Sequence, residues 1–303
     1  MRFFRKLLAV VFAAIASLAV LAPAGAKTTK PWQKPANLTF FQSKDEVRFH
    51  PLVRSNIPLV RAQVDGRDVC ALVDSGSDNN AIALPLAKKL GLKKQRNLAR
   101  VNTPAGPVQG YITTRARVEV TGQFRVDNAF IALPFPDIDC GRGLKVEVIF
   151  GLPTINAMSI FIDNPNRRIA FAPTGRLTPQ SKRHLKIDWI DNKVEGELEG
   201  KPVRMTLDTG QNEALQVNDK AFKRFFAGRK TTPHLPIRTS GGTITNTRKI
   251  DGAKLTVGGT DPLFVRAVRY PDSGWETPVV LGYAIFNNNP VIFDAGQKAI
   301  YVF

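Results

Sequence analysis

The 303-residue sequence predicts a mostly β protein built from two tandem copies of one lobe, the copies related by a pseudo-two-fold axis. Three observations carry this. The stretch from Val60 to Gly76 aligns without a gap on Val194 to Gly210, so that Val60, Gly66, Val69, Asp74 and Gly76 recur as Val194, Gly200, Val203, Asp208 and Gly210. Such self-similarity marks a duplicated structural unit. Both copies also alternate apolar with polar residues and favour β-branched side chains, the period-2 pattern of half-buried strands. Finally, each copy ends one strand in Asp, a hydroxyl residue and Gly: Leu72-Val73-Asp74-Ser75-Gly76 and Thr206-Leu207-Asp208-Thr209-Gly210.

Taken in order, the chain opens with Arg2, Arg5 and Lys6, an apolar run from Leu7 to Ala22, a break at Pro23 and the small-x-small site Ala24-Gly25-Ala26. This predicts a secretory signal over residues 1–26, cleaved after Ala26, with an uncleaved membrane anchor as the other reading. Either one exports the folded part, and a bacterial periplasm is the expected compartment. Residues 27–44 form an N-terminal extension. The first lobe is expected over 45–173, with strands at Leu59 to Val64, Val69 to Val73, Thr114 to Val120 and Ile160 to Phe171, and a turn at Asp65-Gly66. One short helix is expected from Leu84 to Leu90, where Leu84, Ala87 and Leu90 share a face and Gly91 supplies a left-handed stop. Residues 174–183, rich in Pro, Thr, Ser, Gly and basic side chains, read as a linker. The second lobe then runs over 184–303, with its one helix from Val217 to Phe226 ahead of Gly228. Downstream the copies stay in register: Gly106 answers Gly242, Ile149-Phe150-Gly151 answers Val280-Leu281-Gly282, and Asp163 answers Asp294.

Composition narrows the functional classes. Hydrophobic residues at 43% and charged ones at 22% fit a packed globular protein and speak against disorder or a polytopic membrane protein. Lys and Arg number 43 against 25 Asp and Glu, a formal charge of +18 that favours anionic partners such as an envelope surface. The cations are scattered and not interleaved with aromatics, so no specific nucleic-acid partner is expected. The two cysteines, Cys70 and Cys140, both lie in the first half; export permits a bridge, and two separate buried thiols fit equally well. The three histidines, His50, His184 and His234, lack ligand spacing, so no metal and no cofactor is expected, and they read as surface or turn residues.

The chemistry resides in the repeated Asp-Ser/Thr-Gly. By average composition one such tripeptide arises by chance in about one chain in ten of this size, whereas two in register with a repeat do not. A strand that stops at Asp74 or Asp208 delivers a carboxylate to a loop, and Gly76 or Gly210 lets backbone N–H groups approach it without a side chain between. The Ser75 and Thr209 hydroxyls are placed to bridge to the opposite loop. Two carboxylates a few ångströms apart cannot both ionise; they share one proton, and one acts as base while the other acts as acid on a single water. Turns without chemistry would not require the recurring hydroxyl residue. Asp163 and Asp294 recur as well, in turns where a structural role is expected.

The motif pair resembles the pepsin-retropepsin family of aspartic peptidases, and the compact lobes are closer in style to retropepsin-like bacterial members. The resemblance covers nearly all of the chain after the signal. It implies two acid-protease β-barrel lobes, catalysis by Asp74 and Asp208 with support from Ser75, Gly76, Thr209 and Gly210, and cleavage of a polypeptide substrate. Ile149-Phe150-Gly151 and Val280-Leu281-Gly282 match the family's second signature, which threads beside each catalytic loop. The family's flaps are glycine-bearing hairpins, for which Thr103 to Gly106 and Thr239 to Gly242 are the candidates. Tyr111 lies past the first tip and does not match the flap tyrosine of pepsin-like members. Gln211 stands where the family usually has a small residue, and it either crowds Asp208 or points away. Crowding would leave a binding or scaffolding protein without turnover as the alternative. Because one chain supplies both halves of the dyad, a monomer is expected.

Overall fold

The computed structural model describes residues 36–42, 47–179, 183–270 and 278–303. The expected signal over 1–26 lies outside them, as do 27–35 and 43–44 of the extension and 180–182 of the linker. The described chain is mostly β. In the first lobe the strands Leu59–Val64, Arg67–Val73, Val146–Phe150, Ala81–Ala83, Phe124–Leu133 and Val108–Val120 pair in that cyclic order, and the last closes on the first. In the second lobe Lys193–Leu198, Lys201–Asp208, Val279–Gly282, Leu215–Asn218, Leu263–Tyr270 and Arg248–Val257 close the same ring. Closure pairs every barrel strand on both sides and leaves no open edge within the ring.

Local chemistry explains how each ring starts. The first two strands of each lobe are joined by Asp65-Gly66 (φ 47° and 83°) and Glu199-Gly200 (φ 53° and 71°). A two-residue hairpin turn with both residues left-handed matches the strands' twist, and glycine adopts the second position without strain. Buried aromatic side chains pack each lobe: Phe124 packs on Phe150 and Phe171 at centroid distances of 5.3 and 4.8 Å in the first lobe. Phe293 meets Phe286 at 5.2 Å and Trp189 at 6.2 Å in the second. Each large side chain so buried contributes about 1.5–3 kcal/mol.

The lobes meet in a shared sheet of six strands, in the order Leu185–Asp188, Ala299–Val302, Pro290–Asp294, Met158–Asp163, Arg168–Pro173 and His50–Pro51. At its centre Phe161 lies opposite Ile292, its own counterpart in the repeat, while Ser159 lies opposite Asp294 and Asp163 opposite Pro290. A register that maps onto itself when the copies are exchanged places the two-fold axis there. Asp294, fully buried, accepts hydrogen bonds from the Ser159 and Thr174 hydroxyls and from Gly175 N at 2.7 Å, tying the second lobe to the first. Asp163 accepts from Asn166 N at 3.2 Å and from Arg168 Nε at 2.8 Å, which closes its own turn.

Three local features differ from the sequence expectation. Ile160 to Phe171 is not one strand but a hairpin of Met158–Asp163 and Arg168–Pro173, turned at Asn164-Pro165-Asn166-Arg167, with Arg167 left-handed at φ 53°. The second lobe's helix begins at Asp219, because the Asn218 side chain caps Ala221 N at 2.8 Å, and Val217 belongs to a strand paired on both sides. Each lobe also gains a helical turn after its second signature, at Leu152–Ile155 and Tyr283–Phe286, besides the helices Leu84–Lys89 and Asp219–Phe226. The cysteine alternatives resolve as a disulfide: Cys70 and Cys140, Cα atoms 6.3 Å apart and both buried, pin the loop before Val146–Phe150 to the strand that leads into Asp74.

Candidate active site

The strand Arg67–Val73 runs parallel to Val146–Phe150, with Val73 beside Phe150, and Asp74 N donates to the Phe150 carbonyl at 2.9 Å. Its repeat, Lys201–Asp208, runs parallel to Val279–Gly282, with Asp208 beside Gly282. Each catalytic loop is therefore threaded by the second signature of its lobe, and the threading requires glycine. A β-carbon on Gly151 would lie 2.6 Å from the Ser77 carbonyl oxygen, and one on Gly282 would lie 2.9 Å from Gln211 Cγ. Val73, Phe150, Leu207 and Leu281 are buried in the barrel walls, so the loops stand on rigid strand ends.

The two loops interlock by reciprocal hydrogen bonds. The Thr209 hydroxyl accepts from Ser75 N at 2.9 Å and donates to the Val73 carbonyl at 2.7 Å. The Ser75 hydroxyl accepts from Thr209 N at 3.1 Å and donates to the Leu207 carbonyl at 2.9 Å. Both side chains are buried, and each satisfies one donor and one acceptor of the other lobe.

This interlock brings Asp74 and Asp208 together. Each carboxylate accepts from the glycine two residues on, Gly76 N and Gly210 N, at 2.9 Å. Each glycine also packs against the opposite carboxyl: a β-carbon on Gly76 would lie within 2.6 Å of both Asp208 oxygens, and one on Gly210 within 3.0 Å of both Asp74 oxygens. The aspartates share a hydrogen bond, and both are held above the usual carboxylate range. Burial is the main cause for each. Asp208 is raised further by the Asp74 charge beside it, whereas for Asp74 the hydrogen bond from Asp208 and the loop N–H groups work against burial. The pair therefore titrates as a unit that holds one proton between its two carboxyls.

The two turns expected as flaps both form. Thr103 and Gly106 close the first by paired backbone bonds, Gly106 N donating to the Thr103 carbonyl at 2.9 Å and Thr103 N to the Gly106 carbonyl at 3.2 Å. The second is a hairpin of Ile237–Thr239 and Gly242–Ile244. The tips touch: a β-carbon on Gly241 would overlap the Thr103 hydroxyl and lie 2.8 Å from the Gly106 oxygen. Tyr111 is part of the long strand Val108–Val120, opposite Ala132, and not of a tip. The Gln211 side chain folds back on its own loop, its oxygen accepting from Glu213 N at 3.1 Å. Of the two alternatives for Gln211, the side chain therefore takes the one that turns back on its loop, while Gln211 N–H supports the Asp208 carboxylate.

Some residues at the site were not visible as such in the sequence. Asn192 donates to the Ser75 carbonyl at 2.7 Å and accepts from Trp189 Nε1 at 3.1 Å, bracing the first catalytic loop from the second lobe. Its repeat position is Pro58, so the one available signal was a break in the symmetry. Lys193 donates to the Thr206 hydroxyl, and burial lowers its ammonium pKa. Both line a polar cavity of about 610 Å³ that also reaches Gly76 and Asp78. Among the described residues no three or more His, Cys, Asp or Glu side chains converge as a metal ion would require.

Residues 60–154 match the family model for aspartyl protease. A comparison with curated proteins finds no match. The matched segment carries Asp74, the first flap candidate and Ile149-Phe150-Gly151, and the second lobe repeats its barrel strand for strand. With this match over its first lobe and a second closed six-stranded barrel that repeats it, the chain is similar to the retropepsin-like aspartyl proteases and has two such lobes.

Proposed function

We propose that the chain is an exported aspartic endopeptidase that hydrolyses peptide bonds of an extended polypeptide. The observation that supports this most is the shared hydrogen bond between Asp74 and Asp208, two buried carboxyls both held above the usual range. In the mechanism a water bound between the carboxyls gives a proton to Asp74 as its oxygen attacks the peptide carbonyl. Asp208 gives its proton to the carbonyl oxygen. Collapse of the tetrahedral species then returns a proton through the pair to the leaving nitrogen, and the dyad again holds one proton. The two touching turns, Thr103 to Gly106 and Thr239 to Gly242, would offer backbone groups to a substrate lying as an added strand. The Cys70–Cys140 bridge favours an oxidising compartment, in line with the signal-like N-terminus and a periplasmic location. The charge of +18 supports loose, salt-sensitive association with anionic envelope surfaces.

The test is to incubate the chain, purified from the envelope fraction and processed after Ala26, with an unstructured protein. Cleavage is expected, blocked by a statine-type inhibitor, and reduced about 10³-fold or more by Asp74→Asn or Asp208→Asn. An active single variant would overturn the dyad, and recovery with cytoplasmic markers while still carrying residues 1–26 would overturn export.

A further inference from the structure

Five residues beyond Asp208, Glu213 projects from the second catalytic loop towards the base of the second flap. There its Oε1 lies 3.2 Å from His234 Nε2. The other ring nitrogen, Nδ1, lies 2.8 Å from the Leu235 carbonyl oxygen. Both side chains are largely shielded, at 11% and 17% exposure, so the pair is not a screened surface contact. His234 sits where the two arms of the flap begin to separate: His234 N donates to the Thr247 carbonyl at 3.1 Å, and the Thr247 hydroxyl donates to the Leu235 carbonyl at 2.9 Å. The bond from Glu213 therefore joins the base of the hairpin Ile237–Ile244 to the loop that carries Asp208.

A carbonyl oxygen only accepts, so Nδ1 must carry a proton. A neutral imidazole then presents a lone pair at Nε2 to a carboxylate that also only accepts. Both contacts are satisfied together only when the pair holds one further proton, between Nε2 and the Glu213 carboxylate. Other charges around the ring are engaged elsewhere. On the strand behind it, Arg248 donates to Thr231 at 2.6 Å and Lys249 pairs with Asp251 at 3.2 Å. The repeat position of Glu213 in the first lobe is Asn79, so this link exists in one lobe only.

We propose that His234 is a positioning residue whose imidazolium form fastens the second flap to the catalytic loop, so that closure over a polypeptide requires a proton distinct from the one in the dyad. The role in closure rests on the peptidase reading; the fastening itself does not. Without that proton Nε2 faces the carboxylate unbonded, and the flap base is released.

Two variants separate this from a merely structural contact. His234→Gln offers an amide N–H to Glu213 at any pH, and Glu213→Gln offers an N–H to the neutral imidazole. Amide hydrogen exchange of residues 237–244, corrected for intrinsic rates, reads the fastening without any need for turnover. Protection in the wild type is expected to fall about fivefold or more as the pH is raised from about 5 to about 8, with both variants flat. A flat wild type, or one pH response common to all three, would overturn the proposal. In peptide cleavage the same rise in pH should increase the wild-type KM but not that of the variants, while kcat keeps the limbs that belong to the dyad. An exchange response without any cleavage would sink the peptidase reading and leave the fastening standing.

Discussion

Asp74 and Asp208 are the same residue in two copies of one motif, yet they are not equivalent in the folded chain. Burial raises both carboxyls, and the neighbouring charge raises Asp208 further. A carboxyl raised above its unfolded value contributes stability that is fully present below that value and is lost as pH rises through the folded one. Asp208→Asn removes the titration and keeps the shape. It is therefore expected to match the wild type in thermal midpoint in acid, below the ordinary aspartate value of 3.8, and to exceed it progressively towards neutral pH. A variant no more stable than the wild type at neutral pH would show that the pair is not strained by charge. The inequality was not legible in the motif, because it depends on how the two buried carboxyls and the N–H groups of both loops face one another in the fold. His234 makes the same point: one histidine in a turn carries no signal until the fold sets Glu213 against it.

Among the elements, the strands were largely legible, since alternation and Asp-Gly or Glu-Gly turns are local. The helix start at Asp219 was less so, because Val217 is apolar in either conformation and its pairing with two strands decided the outcome. Gln211 likewise could be placed only by its bond to Glu213 N. The interlocked loops carry the prediction that belongs to this scale. Ser75→Ala removes a hydroxyl that serves Leu207 O and Thr209 N, leaving a buried donor and acceptor of the other lobe unpaired. Each such group costs about 1–3 kcal/mol, so a loss of about 2–4 kcal/mol is expected in denaturant unfolding, together with weaker coupling between the lobes. A loss below about 0.5 kcal/mol, the range of ordinary surface substitutions, would mean that the interlock holds nothing.

At the scale of the whole molecule, one chain supplies both catalytic loops and both central strands of the shared sheet, so a second copy has nothing to complete. Activity per molecule is expected to stay constant on dilution through the micromolar range and below, with a monomer in sedimentation; a steep loss on dilution would count against this. The duplication and the two Asp-Ser/Thr-Gly loops follow from the sequence, because each depends on patterns of a few residues that recur in register. The tertiary structure alone decided how the copies differ. It placed Asn192 beneath the Ser75 carbonyl, with Pro58 at the repeated position, and it bridged Cys70 to Cys140. It also brought Gly241 against Thr103 and His234 against Glu213. These contacts join residues far apart in the chain, or depend on the direction of a single side chain, and neither property has a period that a sequence can display.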